Sequence, residues 1–105
     1  MTDIEAKNLL LLARALSALE SPDEIIAFLR ELCTSQETRS ISQRLGIAEL
    51  LMQGIPQRMI GGMLCNGDAA RRPSTATISR VSDVVKNGNG HLCRVIARAN
   101  GVEGR

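Results

Sequence analysis

"GIPQRMIGGMLCNGDAARRPSTATISRV", residues 54–81, decides how this chain is read. Gly54 stops a preceding helix. Pro56 then pre-sets the first turn of a short new one, carrying Met59, Ile60, Met63 and Leu64 at helical spacing. Gly61-Gly62 weakens that helix by roughly 1 kcal/mol per glycine relative to alanine. Asn66-Gly67 is a natural C-cap. Ser74 caps a further helix whose inward face is Ile78, Val81, Val84 and Val85. Two such helices in succession suggest a helix-turn-helix, in which the first crosses the DNA backbone and the second enters the major groove. Gln57 and Arg58 stand where an amide, a guanidinium and a helix N-terminus hold phosphate. Ser74, Thr75, Thr77 and Ser79 are short enough to let the second helix approach base edges, and the Thr77 methyl can meet a thymine methyl. Arg80 and Lys86 add charge further along. Ser/Thr-rich helix starts are also common plain caps, so the pattern alone is only moderately specific.

Working outward, the chain reads as helices with clear punctuation. Thr2-Asp3-Ile4-Glu5 is a capping box, followed by Ile4, Leu9, Leu12, Leu16 and Leu19 at helical spacing, with Leu10 and Leu11 on other faces. A first helix this apolar is expected to pack against a second chain as well as its own. Ser21-Pro22-Asp23-Glu24 opens a short amphipathic helix with Ile25, Ile26, Phe28, Leu29 and Leu32. Thr34-Ser35-Gln36-Glu37 opens a longer one, with Ile41, Leu45, Ala48 and Leu51 or Met52 as its expected inner face. After Asn87-Gly88-Asn89-Gly90, residues Leu92, Val95, Ile96 and Ala99 form a last short helix. No segment alternates with period two, so the fold class is all-α.

At 105 residues the chain is one small domain, of a size that buries a sufficient core with difficulty. Its only aromatic residue is Phe28, which argues against modules that stack single-stranded bases on rings and leaves duplex binding open. Residues 1–54 carry eight acids and five bases, whereas residues 55–105 carry eight bases, Arg105 among them, and three acids. That asymmetry suits assembly through the first part and contact with a polyanion through the second. Cys33, Cys65 and Cys93 have no CxxC spacing and read as reduced thiols. With no signal segment and no stretch able to span a membrane, a cytoplasmic location is expected. His91 is the sole histidine; His91-Leu92-Cys93 lacks a second ligand pair, and neither a metal site nor an enzymatic constellation is expected.

"LLLLARALSALESPDEIIAFLRELCT" (9–34), "QRLGIAELL" (43–51), "GIPQRMI" (54–60) and "STATISRV" with the later "GNG" (74–81, 88–90) together resemble the Trp-repressor superfamily. Within it they resemble the YerC/YecD group of Trp-repressor-like bacterial proteins. The resemblance implies an intertwined, all-helical homodimer that presents two helix-turn-helix heads to a palindromic operator. It divides the chain into dimerisation helices (1–54), a helix-turn-helix (55–87) and a C-terminal helix and tail (88–105). It also places phosphate and base contacts at Gln57, Arg58, Ser74, Thr75, Thr77 and Ser79. The Trp repressor is itself a standard example of largely water-mediated base contacts.

Two departures from that pattern matter. Residues 65–73 exceed the family's turn by about seven residues in our alignment, and "NGDAARRP" has no counterpart there. Either a flexible basic loop joins the two helices, with Arg71 and Arg72 reaching phosphates, or the head is remodelled. The second departure concerns the corepressor. Thr34, Arg44 and Arg80 match the threonine and two arginines around the family's tryptophan, but its glycine is Val81 and its ligand-contacting serine is Val84. Branched bulk there is expected to fill the indole slot, so tryptophan is not the expected ligand and any small effector is another anion. Arg44 and Arg80 are equally suited to pair with Glu49, Asp83 or DNA phosphate. The sequence therefore reads as a dimeric, double-stranded-DNA-binding transcriptional regulator of the repressor type. The rival reading is a helical interaction module with a degenerate head, which Gly61-Gly62 and the long segment before Ser74 would favour.

Overall fold

The computed structural model describes residues 1–101; Arg105 lies outside the described residues. Among the described residues the chain is all-helical and divides into two compact units, Met1–Thr38 and Arg39 onward. The first unit holds α1 (Asp3–Ala18), α2 (Pro22–Leu32) and the start of α3 (Ser35–Met52). Its helix starts follow the sequence signals. Thr2 Oγ1 accepts the Glu5 N–H at 3.1 Å and Ser21 Oγ accepts that of Glu24 at 3.1 Å, with Pro22 in the first helical turn. At α3 the box is reciprocal: Glu37 N–H donates to Thr34 Oγ1 (3.1 Å), and Thr34 N–H donates to Glu37 Oε1 (2.8 Å). Neither α1 nor α2 contains a buried residue. Leu9, Leu10 and Leu11 are each more than half exposed.

The second unit holds the rest of α3, then α4 (Gln57–Cys65), a single 3₁₀ turn (Ala69–Arg71), α5 (Thr75–Asn87) and α6 (His91–Ala99). Its core is Ile47, Ala48, Ile60, Ile78, Val81 and Ile96, flanked by Leu50, Leu51, Ile55, Leu64, Val85 and Leu92. Ile47 and Ile60 are completely buried, each contributing about 1.5–3 kcal/mol by area. Gly54, at φ 85°, ends α3 in a paired cap: its N–H reaches Leu51 O, and the Ile55 N–H reaches Leu50 O at 3.0 Å. Only a residue tolerant of positive φ permits that turn, which delivers Ile55 to the core. At the far end Asn100 Nδ2 donates to Glu49 Oε2 (2.9 Å), joining the end of α6 to α3.

Three expected inner faces are corrected. On α3, Ala48 is buried and Leu51 half-buried as expected, but Ile41, Leu45 and Met52 are exposed, and Ile47, outside the expected face, is completely buried. That helix carries apolar side chains on most of its circumference, so spacing alone does not choose the inward stripe; packing partners do. On α4 the buried stripe is Ile60, Gly61 and Cys65, with Leu64 half-buried, and Met59 and Met63 face outward. The helix is turned by one residue from the expected face because a glycine, carrying no apolar side chain to read, occupies a buried position. On α6, likewise, Ile96 is buried and Leu92 half-buried, but Val95 and Ala99 are exposed.

Candidate nucleic-acid interface

The start of α4 is open. Pro56 occupies the cap position without a side chain to accept a hydrogen bond, so the first N–H groups of the helix point outward with their partial positive charge. Arg58 is exposed beside them and shares with Lys86 a concavity of about 450 Å³ that Pro56 and Gln57 also line. Gln57 itself is turned inward: its Nε2 donates to Ser82 Oγ at 2.9 Å. Ser82 is only 3% exposed. The Gln57 amide thus fixes the start of α4 against the middle of α5, with one of its two N–H donors engaged there. Sequence reasoning missed Ser82. Its signal was a hydroxyl directly beside Val81 and one helical turn from Ile78 and Val85, where a buried polar group requires a partner.

The start of α5 is capped as its sequence suggests, and the cap consumes two of the candidate reading side chains. Ser74 Oγ accepts the Thr77 N–H at 3.0 Å and shares a second hydrogen bond with Thr77 Oγ1 at 2.9 Å. Thr75 and Ser79 are exposed, and neither has a side-chain hydrogen bond among the described residues. At 100° per residue, Thr75, Ser79 and Lys86 fall within roughly 40° of one another around the helix. Asp83 neighbours that face and accepts from Asn87 Nδ2 at 3.0 Å, a pair that the sequence reading did not single out.

Residues 66–74 are folded, not a loose loop. Asn66 and Gly67 take positive φ (47° and 83°) and reverse the chain. Asp68 Oδ1 accepts the Ala70 N–H (3.0 Å), and Asp68 Oδ2 pairs with Arg71 Nε at 3.3 Å. Gln43 Nε2, from α3, donates to the Arg71 carbonyl at 2.9 Å, and Pro73 is buried. The Arg72 guanidinium lies over the Gly61-Gly62 pair: a Cβ at Gly61 would stand 3.0 Å from its Nε and 3.1 Å from its Cζ.

Arg44 and Arg80 meet across a groove of about 650 Å³ whose walls include Ile41, Leu45, Val81 and Val84. The valines were expected to fill this space; they form part of its wall and leave it open. Neither arginine has an acidic partner among the described residues, where the single ion pair is Asp68–Arg71. Glu49 and Asp83 are instead engaged by Asn100 and Asn87. Thr34 belongs to the first unit and is occupied as the α3 cap. Arg80 lies 100° around α5 from Ser79, which separates it from Thr75, Ser79 and Lys86.

The model of the Trp repressor protein family matches residues 7–100. The chain belongs to the Trp repressor family. A relative in this family is the uncharacterized protein YerC of Bacillus subtilis, 33% identical over 86 residues that span 82% of this chain and 76% of YerC. A crystal structure of a TrpR-like protein from Eubacterium eligens superposes with a TM-score of 0.75 at 31% identity, covering 92% of this chain and 93% of that one. Three further features bear on function. Cys33, Cys65 and Cys93 are free thiols, His91 Nδ1 lies 3.1 Å from Arg94 Nη2, and no helix among the described residues is long and apolar enough to cross a membrane.

Proposed function

We propose that this chain is a homodimeric, sequence-specific double-stranded-DNA-binding transcriptional regulator, a repressor that acts by occupying a palindromic operator. The observation that carries the reading is the clustering at the α4–α5 pair. The uncapped start of α4, Arg58 and Lys86 surround one concavity, and Lys86 shares a helix face with the uncommitted hydroxyls of Thr75 and Ser79. The first elements hold phosphate and set register; the hydroxyls face base edges. Arg71, beside the same connection, adds a further basic contact. Ser74 and Thr77 support the reading helix through the cap. The exposed leucines of α1 supply the dimer surface, and dimerisation doubles the head contacts by two-fold symmetry. The open groove between Arg44 and Arg80 is the seat for any small anionic effector, with tryptophan disfavoured because Val84 stands where the resemblance places a ligand-contacting serine.

Substitution separates these roles. Arg58→Ala weakens binding to specific and random duplexes alike and lowers the slope of log affinity against log salt by about one. Thr75→Ala and Ser79→Ala alter discrimination at individual base pairs by roughly 1–3 kcal/mol. Fluorescence anisotropy on labelled duplexes reads both effects. If all three variants keep the parent's affinity, salt slope and base preference, the head assignment is wrong.

A further inference from the structure

We propose that Arg72, seated on Gly61, sets the separation of α4 and α5 and is a positioning residue for base reading, not a phosphate contact; this rests on the DNA-binding function proposed above. Three observations lead there. Gly61 is buried in the middle of α4, where a glycine costs helix stability that alanine would not. The space its absent side chain leaves is taken: a Cβ there would lie 3.0 Å from Arg72 Nε, 3.1 Å from Cζ and 3.1 Å from Nη2, tighter than most side-chain contacts, so the guanidinium would have to give way. The backbone carrying Arg72 is held from both sides. Its own N–H donates to Ala69 O (3.2 Å), and Gln43 grips the preceding carbonyl. The next residue, Pro73, is buried, and Ser74 begins the α5 cap. The exposed Arg72 side chain thus rests its guanidinium on the α4 backbone at Gly61, carried by a residue two before the α5 cap. Its position explains a glycine in α4 and a longer connection together: the added residues bring an arginine back onto the helix they left. Lys86 and Arg58, by contrast, line a concavity that is open to solvent beside the α4 start.

A two-residue cycle in the full-length protein tests this. In the parent background, Gly61→Ala drives a methyl into the Arg72 guanidinium and lowers the thermal midpoint. In the Arg72→Ala background the guanidinium is gone, and the same change is expected to raise the midpoint by about 4–8 °C, the ordinary gain of alanine over glycine in a helix. Equal shifts in both backgrounds overturn the seating. Binding is read on a duplex selected by the parent protein and on a scrambled one. Arg72→Ala is expected to lower affinity for the selected duplex at least tenfold, leave the scrambled duplex within twofold, and leave the salt slope unchanged. Loss of affinity on both duplexes with a slope reduced by about one identifies a phosphate contact and overturns the positioning role. So does unchanged affinity for the selected duplex. If the parent selects no duplex, the proposed function and the DNA half of this inference both fall, while the thermal cycle still decides the seating.

Discussion

Glu37 and Ser74 illustrate how single side chains start the helices α3 and α5. Each was legible because capping is local chemistry: the partner lies three residues away, so spacing alone identifies it. Glu37 also has a pH signature. The Thr34 N–H, then the Thr34 hydroxyl, favour its carboxylate form and hold its pKa below the ordinary 4.5. Because the folded value is depressed, the bond's contribution is fully present above the unfolded value and is lost as pH falls through the folded one. The Thr34 amide resonance is expected to move in step with the Glu37 carboxyl below pH 4.5, and Glu37→Gln should abolish that movement. A Glu37 carboxyl titrating at or above the ordinary value would contradict the reciprocal cap. The long-range partners were not legible in this way. Gln57 with Ser82 spans 25 residues and Gln43 with Arg71 spans 28, and no local spacing rule connects them.

At the scale of elements, the sequence located all six helices among the described residues but not every buried face. On α5 the expected stripe agrees with the structure, because Ile78, Val81, Val84 and Val85 are opposed by polar residues on the other side. On α3 the apolar residues nearly encircle the helix, and on α4 a buried glycine is silent in any hydrophobic pattern. Both failures come from tertiary partners choosing among faces that the local pattern left equivalent. The corrected α4 face makes a sharp contrast between adjacent residues. Ile60→Ala, at a completely buried position, is expected to cost about 2–5 kcal/mol. Met59→Ala, at a position 49% exposed, should stay within about 0.5 kcal/mol. Urea denaturation of the two variants compares them directly; equal losses would contradict the one-residue rotation of α4.

For the whole molecule, the division of labour visible in charge is repeated in burial. The acidic N-terminal part contributes α1 and α2, which bury no residue within the chain, whereas the described core lies entirely in α3 to α6. In the dimer proposed above, a small chain with this much exposed leucine would gain its missing core by pairing with a second copy. Paired heads in turn require operator half-sites related by inversion and spaced by whole helical turns of DNA. The regulator reading therefore makes a demand on the DNA as well as on the protein. The most direct measurement is capture of fragmented genomic DNA by the purified protein at physiological salt, followed by sequencing of the bound fragments. The account predicts enrichment of a palindromic motif whose half-sites lie about one helical turn, or a multiple of it, apart. No retained DNA, or retention without any motif, would contradict it.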